Sequence, residues 1–130
     1  MNQVYMKGTL RHVPRYDVIP STSDAIVRGI LDTETGSFPI LCCNELACSA
    51  REKLIKLKKD DLYLAGMLQG GYFKNSFGLY SYFPYVLVTR IAESERALME
   101  MKDEIFTPLQ YTELPFGLQD MEDILQGARR

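Results

Sequence analysis

Residues 61–92 read Asp61-Leu62-Tyr63-Leu64-Ala65-Gly66-Met67-Leu68-Gln69-Gly70-Gly71-Tyr72-Phe73-Lys74-Asn75-Ser76-Phe77-Gly78-Leu79-Tyr80-Ser81-Tyr82-Phe83-Pro84-Tyr85-Val86-Leu87-Val88-Thr89-Arg90-Ile91-Ala92. Two apolar runs stand at its ends: Leu62, Leu64, Met67 and Leu68, then Val86, Leu87, Val88 and Ile91. Between them, seven of the seventeen residues 69–85 are Tyr or Phe, against 11% for the chain. The stretch reads as strand, long aromatic hairpin loop, strand. Such a loop holds no core of its own, and long loops in compact domains usually carry function. Its rings are expected to form a stacking surface.

The 130 residues suffice for one domain with a real core and an extension. No apolar run reaches the roughly 20 residues that span a bilayer, and residues 1–4 show no secretory signal. Cys42, Cys43 and Cys48 are too few and too oddly spaced for a disulfide framework or a zinc site, and read as core thiols in a reducing compartment. Residues 1–92 hold eleven Lys/Arg and eight Asp/Glu, a balance of +3; residues 93–130 hold four and nine, a balance of −5. A mildly basic body thus carries an acidic tail.

Going outward from residues 61–92, Gln3 to Arg11 alternates as a strand. Val4, Met6, Gly8 and Leu10 share one face, and Gly8 suggests a bend at a barrel corner. His12 to Ser23 reads as a loop punctuated by Pro14 and Pro20. Asp24 to Thr33 is a second strand, apolar on both faces, so a helix or a second chain is expected to cover one of them. Glu34-Thr35-Gly36-Ser37 turns the chain into a third strand, Phe38–Cys43. Asn44 caps a helix with an apolar stripe at Leu46, Ala47, Ala50, Leu54 and Leu57. A second helix is expected over Glu93–Phe106, and a partly disordered acidic tail follows.

Three strands, a helix and two strands make an all-β, five-stranded Greek-key barrel of the OB type, with its helix between strands three and four. The expected organisation is an OB domain over 1–92 and a helical, acidic extension over 93–130. The aromatic hairpin then sits where such barrels place a binding loop.

Asn2-Gln3-Val4-Tyr5-Met6-Lys7-Gly8-Thr9-Leu10 resembles the opening strand of bacterial single-stranded DNA-binding proteins. Leu54-x-x-Leu57-Lys58-Lys59-Asp60-Asp61-Leu62-Tyr63-Leu64-Ala65-Gly66-Met67-Leu68 resembles that family's passage from helix to fourth strand, which the related primosomal replication protein B family shares. The short cyanobacterial and plastid members are similar too. The resemblance covers residues 2–92 and implies single-stranded DNA binding in replication, recombination or repair, as a cytoplasmic, nucleoid-associated or plastid protein. It implies a homodimer or homotetramer and replication-protein partners. The chain departs from the family in four ways: it has no Trp, its hairpin between Asp32 and Phe38 is short, Asp60 replaces a Gly, and Gly127-Ala128-Arg129-Arg130 is not an acidic Pro-Phe terminus. Leu114-Pro115-Phe116 lies inside the chain, so recruitment through a free terminus does not carry over.

Binding unpaired bases asks for flat rings and cations. The candidate rings are Tyr16, Phe38, Tyr72, Phe73, Phe77, Tyr80 and Tyr82. The candidate cations are Lys7, Arg11, Arg15, Arg28, Lys74 and Arg90. One histidine and no recognisable carboxylate, phosphate-loop or dinucleotide motif argue against an enzyme, a metal or a cofactor. Two other readings use the same barrel: a primosome-type protein-interaction module with weak DNA affinity, and an RNA-binding protein.

Overall fold

The computed structural model describes residues 2–11, 14–18, 25–56, 61–74 and 77–102. Among them the elements run β1 (Val4–Leu10), β2 (Arg15–Val18), β3 (Ala25–Thr33), β4 (Gly36–Cys43), α1 (Asn44–Lys56), β5 (Leu62–Lys74), β6 (Tyr80–Ala92) and α2 (Glu95–Glu100). The sheet order is β1-β5-β6-β4-β3-β2, and β1 also pairs with β3. That extra pairing closes β1, β5, β6, β4 and β3 into a five-stranded barrel, the OB-fold expected from the element order. All pairs are antiparallel except β4 with β6, where Ile40 meets Val86 and Leu41 meets Leu87.

Closure happens at Gly8. It is the last β1 residue paired with β5, opposite Leu62, and Thr9 is the first paired with β3, opposite Asp32. A Cβ at Gly8 would lie 2.3 Å from the Asp32 carbonyl oxygen, so only glycine lets the two strands approach so closely. The predicted corner is therefore real. Asn2 extends the β1–β5 ladder with its side chain. Its Nδ2 donates to the Leu68 carbonyl at 2.6 Å, and its Oδ1 accepts from the Leu68 N–H at 2.9 Å.

The expected loop 12–23 needs correction. Arg15–Val18 forms β2, which pairs with Ala25–Arg28 along the edge of β3 that β1 has just left. Pro14 stands immediately outside this strand, so it does not interrupt the pairing that Arg15, Tyr16 and Val18 favour.

Leu10, Val27, Leu31, Ile40, Cys42, Leu62, Leu64, Val86, Val88 and Ile91 fill the barrel, and Leu46, Ala47, Ala50 and Leu54 of α1 close one end of it. The apolar stripe of the helix is thus the predicted one as far as Leu54; Leu57 lies outside the described residues. Cys42 and Cys43 are buried, as expected of core thiols. The side chain of Cys48 lies outside the described ones. Ile26 and Ile30, on the opposite face of β3 from the core, are also buried within the single chain, so that face needs no second copy to cover it.

The second correction concerns the aromatic loop. β5 and β6 each run for 13 residues and remain paired far beyond the barrel. Their register is Gln69 to Tyr85, Gly70 to Pro84, Tyr72 to Tyr82 and Lys74 to Tyr80. Most of the presumed loop is therefore a two-stranded ribbon. Tyr and Phe are strong strand formers, and their alternation continues the pleat of the barrel across the paired glycines.

The third correction is the length of the last helix. α2 starts at the Ser94 cap, whose Oγ accepts from the Ala97 N–H at 3.1 Å, and ends where Met101 takes extended backbone. Leu98 packs with Ala65 and Ala92, flanked by Tyr63, Ala97 and Met101, so α2 lies on the outside of β5 and β6. The rest of the predicted helix and the tail lie beyond the described residues.

Candidate nucleic-acid interface

Along β6, Tyr80, Tyr82, Pro84 and Val86 alternate onto one face, and Val86 belongs to the barrel core. The face that is core inside the barrel therefore continues outward as the face of the ribbon. On it the exposure climbs from 2% at Val86 to 56% at Tyr82 and 70% at Tyr80. Phe77 at the tip is 86% exposed, and Leu79 beside it is exposed as well. At about 3.4 Å per residue, Tyr80 and Tyr82 stand roughly 7 Å apart. That is about twice the 3.4 Å base step of a strand, so one base plane fits between successive rings. Phenol rings held by a paired strand lose little freedom on binding, which favours stacking.

This line of residues ends at a cavity. β1 pairs with β3 only at Thr9 and Leu10, so a seam opens between residues 4–8 and the β3–β4 turn. The cavity in that seam has a volume of about 680 Å³. Met6, Phe38, Leu68 and Val86 are its apolar lining, with Lys7 and Glu34 at the rim. The seam thus brings together two predicted candidates, Phe38 and Lys7, which lie 31 positions apart in the chain. Leu68 and Val86 were missed by the sequence reading. Their signal was there, since each shares the parity of the exposed residues beyond it.

The cations are less available than the sequence suggested. Arg11 Nη2 lies 2.7 Å from Asp32 Oδ1 and 2.5 Å from Ser37 Oγ, while its Nε donates to Asp32 Oδ2 at 3.3 Å. Lys7 Nζ is 3.6 Å from Asp61 Oδ2 and 5.7 Å from the Tyr63 ring centroid. The Tyr63 phenol, and then the Asp61 carboxylate, raise the Lys7 ammonium above its ordinary range, so it stays charged at neutral pH. Arg90 is a correction. It is 7% exposed, and its Nη1 donates to the carbonyls of Leu98 at 2.9 Å and Met101 at 3.1 Å. Its Nη2 donates to Tyr5 Oη at 3.3 Å, with the guanidinium 5.6 Å from the Tyr5 ring centroid. Arg90 holds α2 on the barrel and is not a surface cation.

Arg15 and Tyr16 are exposed on β2, and Arg28 stands opposite Arg15 in register. They form a separate group at the β2–β3 edge. Tyr72, Phe73 and Lys74 are backbone-placed in β5, and their side chains lie outside the described ones. Tyr85, by contrast, is buried, and its Oη donates to Gln69 Oε1 at 3.1 Å. Burial, and then the neighbouring Cys43, push its phenol pKa up.

Among the described residues no group of His, Cys, Asp and Glu could hold a metal ion, and no helix is long and apolar enough to cross a membrane. No family model matches the chain, and no curated protein matches it either. Among solved structures, the barrel is similar to the SSB domain of a protein from Synechococcus sp.. The identity is 16%, the alignment covers 70% of this chain and 93% of that one, and the TM-score is 0.55. The two share the OB-fold.

Proposed function

We propose that this chain binds single-stranded nucleic acid, without sequence specificity along the ribbon, and that single-stranded DNA in replication, recombination or repair is its ligand. The observation that carries this reading is the run of exposed tyrosines on a face continuous with the barrel interior. A core face that turns outward as rings exposes apolar area that folding would otherwise bury, and unpaired bases are what such rings fit. The motif resemblance over residues 2–92 and the shared fold support the same reading. We propose a cytoplasmic or plastid setting, a homodimer or homotetramer formed through an open strand edge, and replication proteins as partners.

One observation favours a second reading. Lys7, Arg11 and Arg90 are held in contacts within the chain, which suits weak nucleic-acid affinity and a primosome-type protein-interaction module. Fluorescence anisotropy of the full chain with labelled oligo-dT, a matched RNA and a duplex, at two salt concentrations, separates these readings. Binding to single strands in preference to duplex is expected. Equal affinity for duplex, or no binding at low salt, refutes the first reading and leaves the second. Preference for the RNA would assign the protein to RNA instead.

A further inference from the structure

The cavity at the barrel mouth has a chemistry different from that of the ribbon. Met6, Phe38, Leu68 and Val86 give it an apolar lining. At about 680 Å³ it falls within the range of small-molecule pockets, ample for one heterocyclic base. Its rim is rich in acceptors. Asp32, Glu34 and Asp61 all border it, and a carboxylate only accepts hydrogen bonds. Asp32 is tied to Arg11 and Ser37, and Asp61 to Lys7. Glu34 makes no ion pair among the described residues and is exposed in the turn. The Thr33 hydroxyl already donates to the Gly36 carbonyl at 2.8 Å, so what it offers the cavity is its lone pairs.

Lys7 lines the cavity too but is paired with Asp61, so the carboxylate left over is that of Glu34, which disfavours phosphate and suits a neutral donor. The line Tyr80, Tyr82, Pro84, Val86 runs straight into this cavity, since Val86 is both the inner end of the line and part of the lining. A single strand stacked on the tyrosines would arrive with its next base at the mouth. We propose that the barrel mouth takes one unstacked base bearing an exocyclic amino group, stacked on Phe38 and donating to Glu34, and so discriminates cytosine from thymine. The amino group of cytosine is the donor that Asp and Glu accept from in base recognition, and thymine presents a carbonyl oxygen in its place. This inference rests on the single-strand reading above.

The test is anisotropy of the full chain with labelled oligo-dC and oligo-dT of equal length at one low salt concentration. The chain should bind oligo-dC about fivefold more tightly, the size of one good donor–acceptor contact. Glu34→Ala, in an exposed turn, should bring the two affinities together. Phe38→Ala should weaken both and also remove the difference. Tyr80→Ala should weaken both and keep their ratio. Equal affinities in the unmodified chain overturn this proposal and leave the single-strand reading intact. No binding to either oligonucleotide overturns both. A Glu34→Ala protein that keeps its cytosine preference, or that changes mass by light scattering, also overturns it; in the latter case a second copy fills the seam.

Discussion

β5 and β6 make one continuous ladder with two very different halves. In the inner half, Leu62, Leu64, Val86, Val88 and Ile91 have 0–2% exposure and form the barrel core. In the outer half, the same face of the same ladder carries Tyr80 and Tyr82 in solvent. Backbone pairing and alternation hardly differ between the two. What differs is the surroundings: the inner half packs with the other barrel strands and α1, while Tyr80 and Tyr82 stand exposed. Secondary structure therefore does not separate core from interface in this hairpin. Only closure of the barrel does.

The largest expected effects lie in the inner half. Gly66 sits where the β5–β6 register shifts, and a Cβ there would lie 2.4 Å from the Leu87 carbonyl oxygen and 2.9 Å from Val86 Cγ1. Because a backbone oxygen cannot swing away, Gly66→Ala should destabilise by about 3 kcal/mol, at the upper end of overpacking. Chemical denaturation measures it, and a loss below about 1 kcal/mol would mean the inner ladder is as yielding as the outer. Leu64→Ala, at 0% exposure, should lie in the range of about 2–5 kcal/mol for a core cavity.

Arg90 comes next. Its hydrogen bonds to Leu98, Met101 and Tyr5 join β6 to α2, to the residue that ends it and to β1. Arg90→Ala leaves the Leu98 and Met101 carbonyls without that donor, and about 2–3 kcal/mol is expected, as for bonds to charged groups. Nucleic-acid affinity should not change at temperatures where the variant is folded. A selective loss of affinity would show that Arg90 meets phosphate after all and would blur the boundary between the two halves.

Arg90 also marks the limit of what was legible in the chain. Alternation revealed the barrel strands, the spacing of Leu46, Ala50 and Leu54 revealed α1, and Gly8 announced the corner. These are local signals. Whether a charged residue on a strand is exposed depends on what folds over it, and α2 lies on Arg90 because of contacts with Ala65 and Ala92 that no local pattern reveals. The pairing of Arg11 with Asp32, 21 positions away, is equally invisible. The ribbon was misread for a different reason. Gly70-Gly71 and a dense run of rings look like loop chemistry, whereas the parity linking Tyr80, Tyr82, Pro84 and Val86 was the stronger clue. β2 was hidden by the prolines around it. The rings of the candidate site were thus identifiable as residues, while the cavity they lead to required the closed barrel.

Tyr82→Ala should show the converse of Gly66→Ala. Stability should move by less than about 0.5 kcal/mol, as for an exposed site. Single-strand affinity should fall by about 1–3 kcal/mol, roughly 5- to 150-fold, the worth of one stacked base. Unfolding and anisotropy measured on the same preparation give both numbers. A variant that loses stability while keeping affinity would make Tyr82 a structural ring and move the interface elsewhere.

The smallest effect concerns charge. Six cations were candidates for phosphate contact, and Lys7, Arg11 and Arg90 are each held by partners within the chain. At most three of the six then meet phosphates while those contacts hold. Each neutralised phosphate on a single strand contributes about −0.7 to the slope of log affinity against log salt, so the slope should be no steeper than about −2. Lys7→Gln removes an exposed pair with Asp61, worth little to stability, and should change that slope by less than one phosphate equivalent. If the slope is instead about −3.5 or steeper, the ion pairs of Lys7 and Arg11 open when nucleic acid binds. Affinity would then come from the barrel surface and its cations, and the exposed rings of the outer half would be secondary to the charged rim of the inner one.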